Sequence, residues 1–173
     1  MNAFDIYEEN KDIEININLR ENTVFELNFS YITYEVINLK INIIMTGNNN
    51  KGLLTIHSIS KEKGKSKIEV NGIVKEKTTG NNLEEIIKII NDGEEENEII
   101  PNMMINTDDC LATHGAMIGQ FRDEDINYLE KKGLSEYDSI KLLERGFLTN
   151  NLKISDTRKN DIKEKLKKWE VKL

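Results

Sequence analysis

From about residue 12 to residue 120, apolar and polar residues alternate in short runs, and no helix is needed between them. The runs include Ile13–Leu19, Val24–Phe29, Glu35–Ile43, Leu53–Ile59 and Lys67–Val74. Alternation with a period of two is the signature of a half-buried strand. The chain breakers fall where turns are needed, at Gly47–Asn50, Lys63-Gly64-Lys65 and Thr78-Thr79-Gly80. Proline occurs once, at Pro101. The pattern predicts an all-β body of short, evenly spaced strands, and a sandwich, a barrel or a β-solenoid would satisfy it. One stretch is ambiguous. Asn82–Ile90 has helical apolar spacing and a possible capping box from Asn82 to Glu85, so local pattern divides evenly between helix and strand.

After residue 120 the period becomes helical. Asp123 is placed to cap a first helix carrying Ile126 and Leu129, with Gly133 closing it. Ser135 with Asp138 opens a second, with Tyr137, Ile140 and Leu143 or Glu144 as its stripe and Gly146 as its end. Ser155 opens a third, on which Ile162, Leu166, Trp169 and Leu173 form one apolar seam. The expected division is a β body over 1–120 and a helical domain over 121–173.

Composition removes several classes of function. The chain has 173 residues, 38% hydrophobic and 32% charged, too rich in branched apolar side chains for a disordered acidic protein. No run of about 18 apolar residues exists to span a membrane. Met1–Asn10 carries three acids and no base, unlike a secretory leader. The single cysteine, Cys110, excludes an intrachain disulfide and suits a reducing cytoplasm, and one chain cannot supply four thiolates to a metal or cluster. The net charge is −7, and residues 1–120 hold 20 acids against 11 bases, which argues against nucleic acid as a partner. The basic run Lys163, Lys165, Lys167, Lys168 is interleaved with acids and reads as a solvated helix face. No phosphate-binding G-x-x-x-x-G-K-[ST] loop occurs.

The residues best suited to chemistry lie in Asn106–Ala116, which holds Asp108, Asp109, Cys110 and His114. On a strand, Cys110 and His114 would share a face yet stand about 13 Å apart at ~3.3 Å per residue, too far to chelate one ion. A hydrolase would use an aspartate, His114 and a nucleophile such as Cys110 or Thr113, but nothing marks a nucleophile elbow or oxyanion loop. The structural alternative is a polar turn with an aspartate bonded to the backbone. His57, within Leu54–Ile59, reads as a strand residue with a structural role.

A longer pattern runs through the same region. Pro101-Asn102-Met103-Met104-Ile105, Asp108-Asp109, Ala112-Thr113-His114-Gly115-Ala116 with Ile118-Gly119, Asp123-Glu124-Asp125, Tyr128-Leu129, Gly133-Leu134-Ser135 and Gly146-Phe147-Leu148 follow in order. This resembles the SufB/SufD family of the SUF iron–sulfur cluster assembly system, over about Ile99–Leu148, with Lys67–Gly72 resembling the preceding strand. The chain departs from the family pattern in places. Cys110 stands where the family has Val, and the cysteine of SufD-like chains would align with Ala112. Lys131-Lys132-Gly133 replaces S-R-G, and Asn127 stands for the Phe before Tyr128. The chain is also much shorter than typical members.

The resemblance implies a short right-handed parallel β-helix followed by a small helical domain, which favours strand over helix for Leu83–Ile90. It implies a cytoplasmic, non-enzymatic component of iron–sulfur cluster assembly that pairs through its β-helix, as a homodimer or with a SufB/SufD-like chain. It implies docking of a SufC-like ABC ATPase on the helices, through Phe121, Tyr128, Leu129, Gly133, Leu143 and Phe147. It implies no permanently bound cofactor, only a transient cluster shared at a subunit interface. The candidate cluster residue it implies is His114, which corresponds to the interface histidine of SufD-type chains. Cys110 is a second candidate from the ligand count alone, not an inherited ligand, and its alternative is a small buried hydrophobe. Asp108, Asp109 and Gly115 are the accompanying motif positions. The rival expectation is a β-solenoid interaction module with no role in cluster chemistry.

Overall fold

Nine strands come first. They are β1 (Asn2–Tyr7), β2 (Lys11–Leu19), β3 (Val24–Thr33), β4 (Val36–Met45), β5 (Lys51–Glu62), β6 (Lys65–Val74), β7 (Asn81–Gly93), β8 (Glu98–Ile105) and β9 (Cys110–Gly119). Helices α1 (Asp123–Glu130), α2 (Glu136–Asn150) and α3 (Asp156–Glu170) follow. The structure is a computed structural model and describes residues 1–170. Odd-numbered strands form one parallel sheet in the order β1-β3-β5-β7-β9, and even-numbered strands form the other, β2-β4-β6-β8. Consecutive strands therefore alternate between sheets, and the chain winds as a β-solenoid of about four turns. Parallel pairing normally needs a crossover of a dozen residues or more. Here the intervening strand of the opposite sheet is that crossover, which is why no helix is needed.

Alternation becomes columns of side chains. In the four-stranded sheet Ile15, Ile41, Val70 and Pro101 are register partners, as are Ile17, Ile43, Gly72 and Met103. The buried members of these columns meet Leu27, Phe29, Leu54, Ile56, Leu83 and Ile87 from the other sheet in one core. Outside the four-stranded sheet, the polar half of the alternation forms a ladder. Asn42 donates to Asn16 (2.7 Å), Asn71 to Asn42 (2.9 Å) and Asn102 to Asn71 (2.9 Å). Amide ladders of this kind favour identical residues in register.

The corners are set by buried amides. Asn50, 1% exposed, accepts from the Thr23 N–H (3.0 Å) and donates to the carbonyls of Arg20 and Gly47 (2.9 Å each). Its own N–H donates to the Asn81 side chain (2.9 Å), which in turn donates to the Gly47 carbonyl (3.0 Å). Asn50→Ala removes three of these bonds and strands backbone groups out of reach of water. We expect it to cost about 2–3 kcal/mol, read as a lower urea midpoint at unchanged denaturant slope.

The helices cover part of the outer face of the five-stranded sheet. Alternation fails there, because Tyr31-Ile32 and Ile89-Ile90 are apolar on both faces, as strands buried on both sides must be. Ile32, Ile59 and Ile90 are register neighbours and pack with Leu148, Leu152, Ile162 and Leu166. Polar contacts orient the docking. His57 stacks on Phe147, with ring centroids 4.5 Å apart, and its Nδ1 lies 2.7 Å from the Phe147 carbonyl. A carbonyl only accepts, so Nδ1 is the donor. Burial lowers the His57 pKa, the Phe147 carbonyl opposing it, and the net effect favours the neutral ring. Lys61 reaches the buried Glu144, which Lys141 also pairs, and Ser30 donates to Asn151 (2.8 Å).

Several local expectations change. Asn82–Ile90 lies in β7, so the helical spacing there is overridden by pairing with β5 on one side and β9 on the other. Strand β1 lies upstream of the alternating runs that begin near residue 12, and pairs with β3. Arg122, not Asp123, is the N-cap of α1, without a side-chain cap bond, and its guanidinium pairs with Asp125 (2.9 Å). Ser135 caps α2 as expected, accepting from the Asp138 N–H (3.1 Å). Gly146 does not end α2. The helix runs on to Asn150, because Leu148 is drawn into the outer cluster. Its buried stripe is Ser139, Glu144 and Leu148, while Tyr137 is exposed. Ile162 and Leu166 form the predicted seam of α3. Leu173 and the side chains of Lys163, Lys167, Lys168 and Trp169 lie outside the described residues.

Candidate functional site

The last turn of the solenoid, β8 and β9, has no further strand stacked on it among the described residues. The side chains that would be core in an earlier turn are here open on one side. Register shows which they are. Ala112, His114, Ala116 and Ile118 pair with the buried Leu83, Glu85, Ile87 and Ile89 of β7, and in-register partners of a sheet share a face. His114 is therefore turned toward the solenoid interior yet exposed, because the winding stops with β9 itself.

The column that ends at His114 is unusual. It runs Leu27, Leu54, Glu85, His114 through four successive strands of the five-stranded sheet. Leu27 and Leu54 are core, whereas Glu85 places a carboxylate at the same depth, with 0% exposure. Neither carboxylate oxygen has a hydrogen-bond partner among the described residues. Gly72 makes the room. A Cβ built there would lie 2.5 Å from Glu85 Oε1 and 2.6 Å from Leu83 Cδ2. Burial pushes the Glu85 carboxyl up to about 7 from its ordinary 4.5.

The other motif residues divide by role. Asp109 Oδ2 accepts from the Gly80 N–H (3.0 Å), and the Thr107 hydroxyl donates to the Thr78 carbonyl (2.6 Å), so the last corner is fastened to the one before it. An aspartate carboxylate does bond backbone here, but across the windings to the Gly80 N–H and not within its own turn. Asp108 is exposed. Gly115 is exposed, and an added Cβ would meet nothing within 4 Å. Cys110 is a free, half-buried thiol packed against the core, its pKa raised by burial and by Asp109. It shares the inward face with His114 but lies four residues earlier on the same strand. At ~3.3 Å per residue the pair spans about 13 Å, so the structure does not bring Cys110 and His114 to one ion. No group of three or more His, Cys, Asp or Glu side chains among the described residues is arranged to hold a metal.

The helical candidates are likewise split. Phe147 stacks on His57 and Phe121 meets Phe147 edge-on, with centroids 6.2 Å apart, so both rings are engaged within the chain. Leu129 and Leu143 are half-buried, and Gly133 sits at φ +94° just past α1. Tyr128 is 61% exposed, with the Lys132 ammonium over its ring.

Sequence reasoning read Glu85 as part of a capping box and missed its position beside His114. The available signal was Leu83-x-Glu85-x-Ile87-x-Ile89, an acid on the apolar phase of a period-two run.

Comparison with known proteins places this geometry. Residues 8–147 match the family model described as SUF system FeS cluster assembly, SufBD core domain. An iron–sulfur cluster assembly SufBD family protein of Mycobacterium leprae is 41% identical over 49 residues, which is 28% of this chain and 12% of that protein. The chain thus spans far less than the length of this curated relative. No helix among the described residues is long and apolar enough to cross a membrane. The match extends from β2 into α2, across nearly the whole solenoid and the start of the helical cover, and so the chain belongs to the SufBD core-domain family.

Proposed function

We propose that this chain is a non-enzymatic, cytoplasmic component of iron–sulfur cluster assembly. It pairs through the β9 edge with a second copy or a SufB/SufD-like chain, and it docks a SufC-like ABC ATPase on its helices. The observation that carries the reading is the last turn. His114 stands on an inward face left open at the end of the solenoid, within a chain of the SufBD core-domain family. Strand edges left open by a solenoid pair readily with another chain. Exposed Leu111, Met117 and Ile118 on β9 supply apolar surface for the pairing. One chain offers too few donors for a cluster, and imidazole can replace thiolate at some iron sites. A two-fold axis along β9 would bring two His114 side chains together. The cluster is cargo in this reading, held briefly between subunits. For the ATPase, exposed Tyr128 and half-buried Leu129 and Leu143 are the surface we assign, while Phe121 and Phe147 hold the helices in place.

The test is anaerobic co-purification with the ATPase of the same organism, scored for complex mass and bound iron. We expect a stable complex carrying iron, and His114→Ala should retain the ATPase while losing most of the iron. Unchanged iron in His114→Ala would remove His114 from the site. A complex that never carries iron would favour the interaction-module reading.

A further inference from the structure

The geometry points to a divalent-cation site at the open end of the solenoid, with the Glu85 carboxylate and the His114 imidazole as its two donors from one chain. The inference rests on the assignment of the last turn to iron handling and adds a donor to it. Three observations carry it. Glu85 and His114 are direct register partners on β7 and β9. Neighbouring strands lie about 4.8 Å apart, so both side chains leave the sheet on one face, side by side. Glu85 is fully buried with neither oxygen partnered among the described residues. A buried carboxylate in that state is strongly disfavoured, so the group either holds its proton or takes a cationic partner. Finally, the opposing column changes in step. Ile17 and Ile43 give way to Gly72 level with the carboxylate, and a side chain at Gly72 would collide with Glu85 Oε1. The space is shaped around the acid.

Oxygen and imidazole nitrogen together suit first-row divalent ions such as Fe2+, Mn2+, Co2+ and Zn2+. Cys110 is not a third donor to the same ion, since it lies a strand's half-length away on β9. The remaining positions face the open end, where water or a second copy's donors would complete the shell.

The test uses the full chain and Co2+ alone, titrated without oxygen and followed by visible absorption. The wild type is expected to bind Co2+ saturably. Glu85→Gln keeps the side-chain shape and should weaken binding at least tenfold, as should His114→Ala. Gly72→Ala removes no donor but occupies the space of the carboxylate, and it should weaken binding too. Absence of saturable binding by the wild type, or unchanged affinity in a folded Glu85→Gln protein, overturns the proposal. Co-purification of the same variants with the ATPase separates the two readings. A Glu85→Gln chain that keeps the ATPase but has lost Co2+ supports the cation site. Co2+ binding that survives without any ATPase complex leaves the site standing and sinks the ATPase-docking reading.

Discussion

Gly47→Ala is expected to destabilise the chain by on the order of 4 kcal/mol, among the larger effects a single methyl can have. The added Cβ would sit 1.6 Å from the Arg20 carbonyl oxygen and 2.4 Å from its carbon. Both are backbone atoms of the corner one turn earlier, so no rotamer change relieves the overlap. The corners would have to separate. Separation would stretch the bonds that the Asn50 and Asn81 side chains make to the Gly47 carbonyl, at 2.9 and 3.0 Å. The expected readout is a fall in melting temperature on the order of 10 °C for a chain of this size, or loss of soluble protein. Gly119→Ala is the matched control. Its Cβ meets nothing within 4 Å, and its stability should stay within about 0.5 kcal/mol of wild type. An equal effect at the two positions would contradict the close stacking of the corners.

Glu85→Gln is expected to stabilise the metal-free chain at pH 8 by up to roughly 3 kcal/mol, and to do so in a pH-dependent way. In the unfolded chain the carboxyl ionises near its ordinary 4.5, whereas in the fold burial raises it to about 7. Below the lower value both states hold the proton, and acid and amide differ little. Between the two values only the unfolded chain releases it, so wild-type stability falls as pH rises. Above the higher value the penalty for a buried charge is complete. The gain of the Gln variant should therefore be full above pH 7 and vanish toward pH 4.5, which urea unfolding at three pH values would show. A gain independent of pH would mean that the carboxyl never ionises at a cost. Stabilisation together with loss of cation binding would mark the acid as retained for function at the expense of stability.

What was legible in the chain followed from local periodicity. Ile13–Leu19 or Lys67–Val74 could hardly be anything but strands, because a period of two places Ile and Val on one face and Asn, Glu and Lys on the other. Ser135 with Asp138 specified a helix start by local bonds alone. The family pattern around His114 was likewise legible, being a string of residues close in sequence, and the family match over 8–147 agrees with it.

The rest depended on contacts across the windings, at separations of about 26 to 31 residues. Asn82–Ile90 satisfies both periods, and only strands on either side chose between them. Gly146 looks like a helix end until Leu148 finds Ile32, Ile59 and Ile90 beneath it. Most of all, nothing within a window of ten residues sets Glu85 beside His114 or Gly72 opposite the carboxylate. Strands, corners and a helical tail are written locally in the chain, because nearest neighbours and the burial of one face decide them. Which strands lie side by side is set by the folded chain alone. Register is a relation between distant segments, and it brought a buried acid and an open-edge imidazole together at the end of the solenoid.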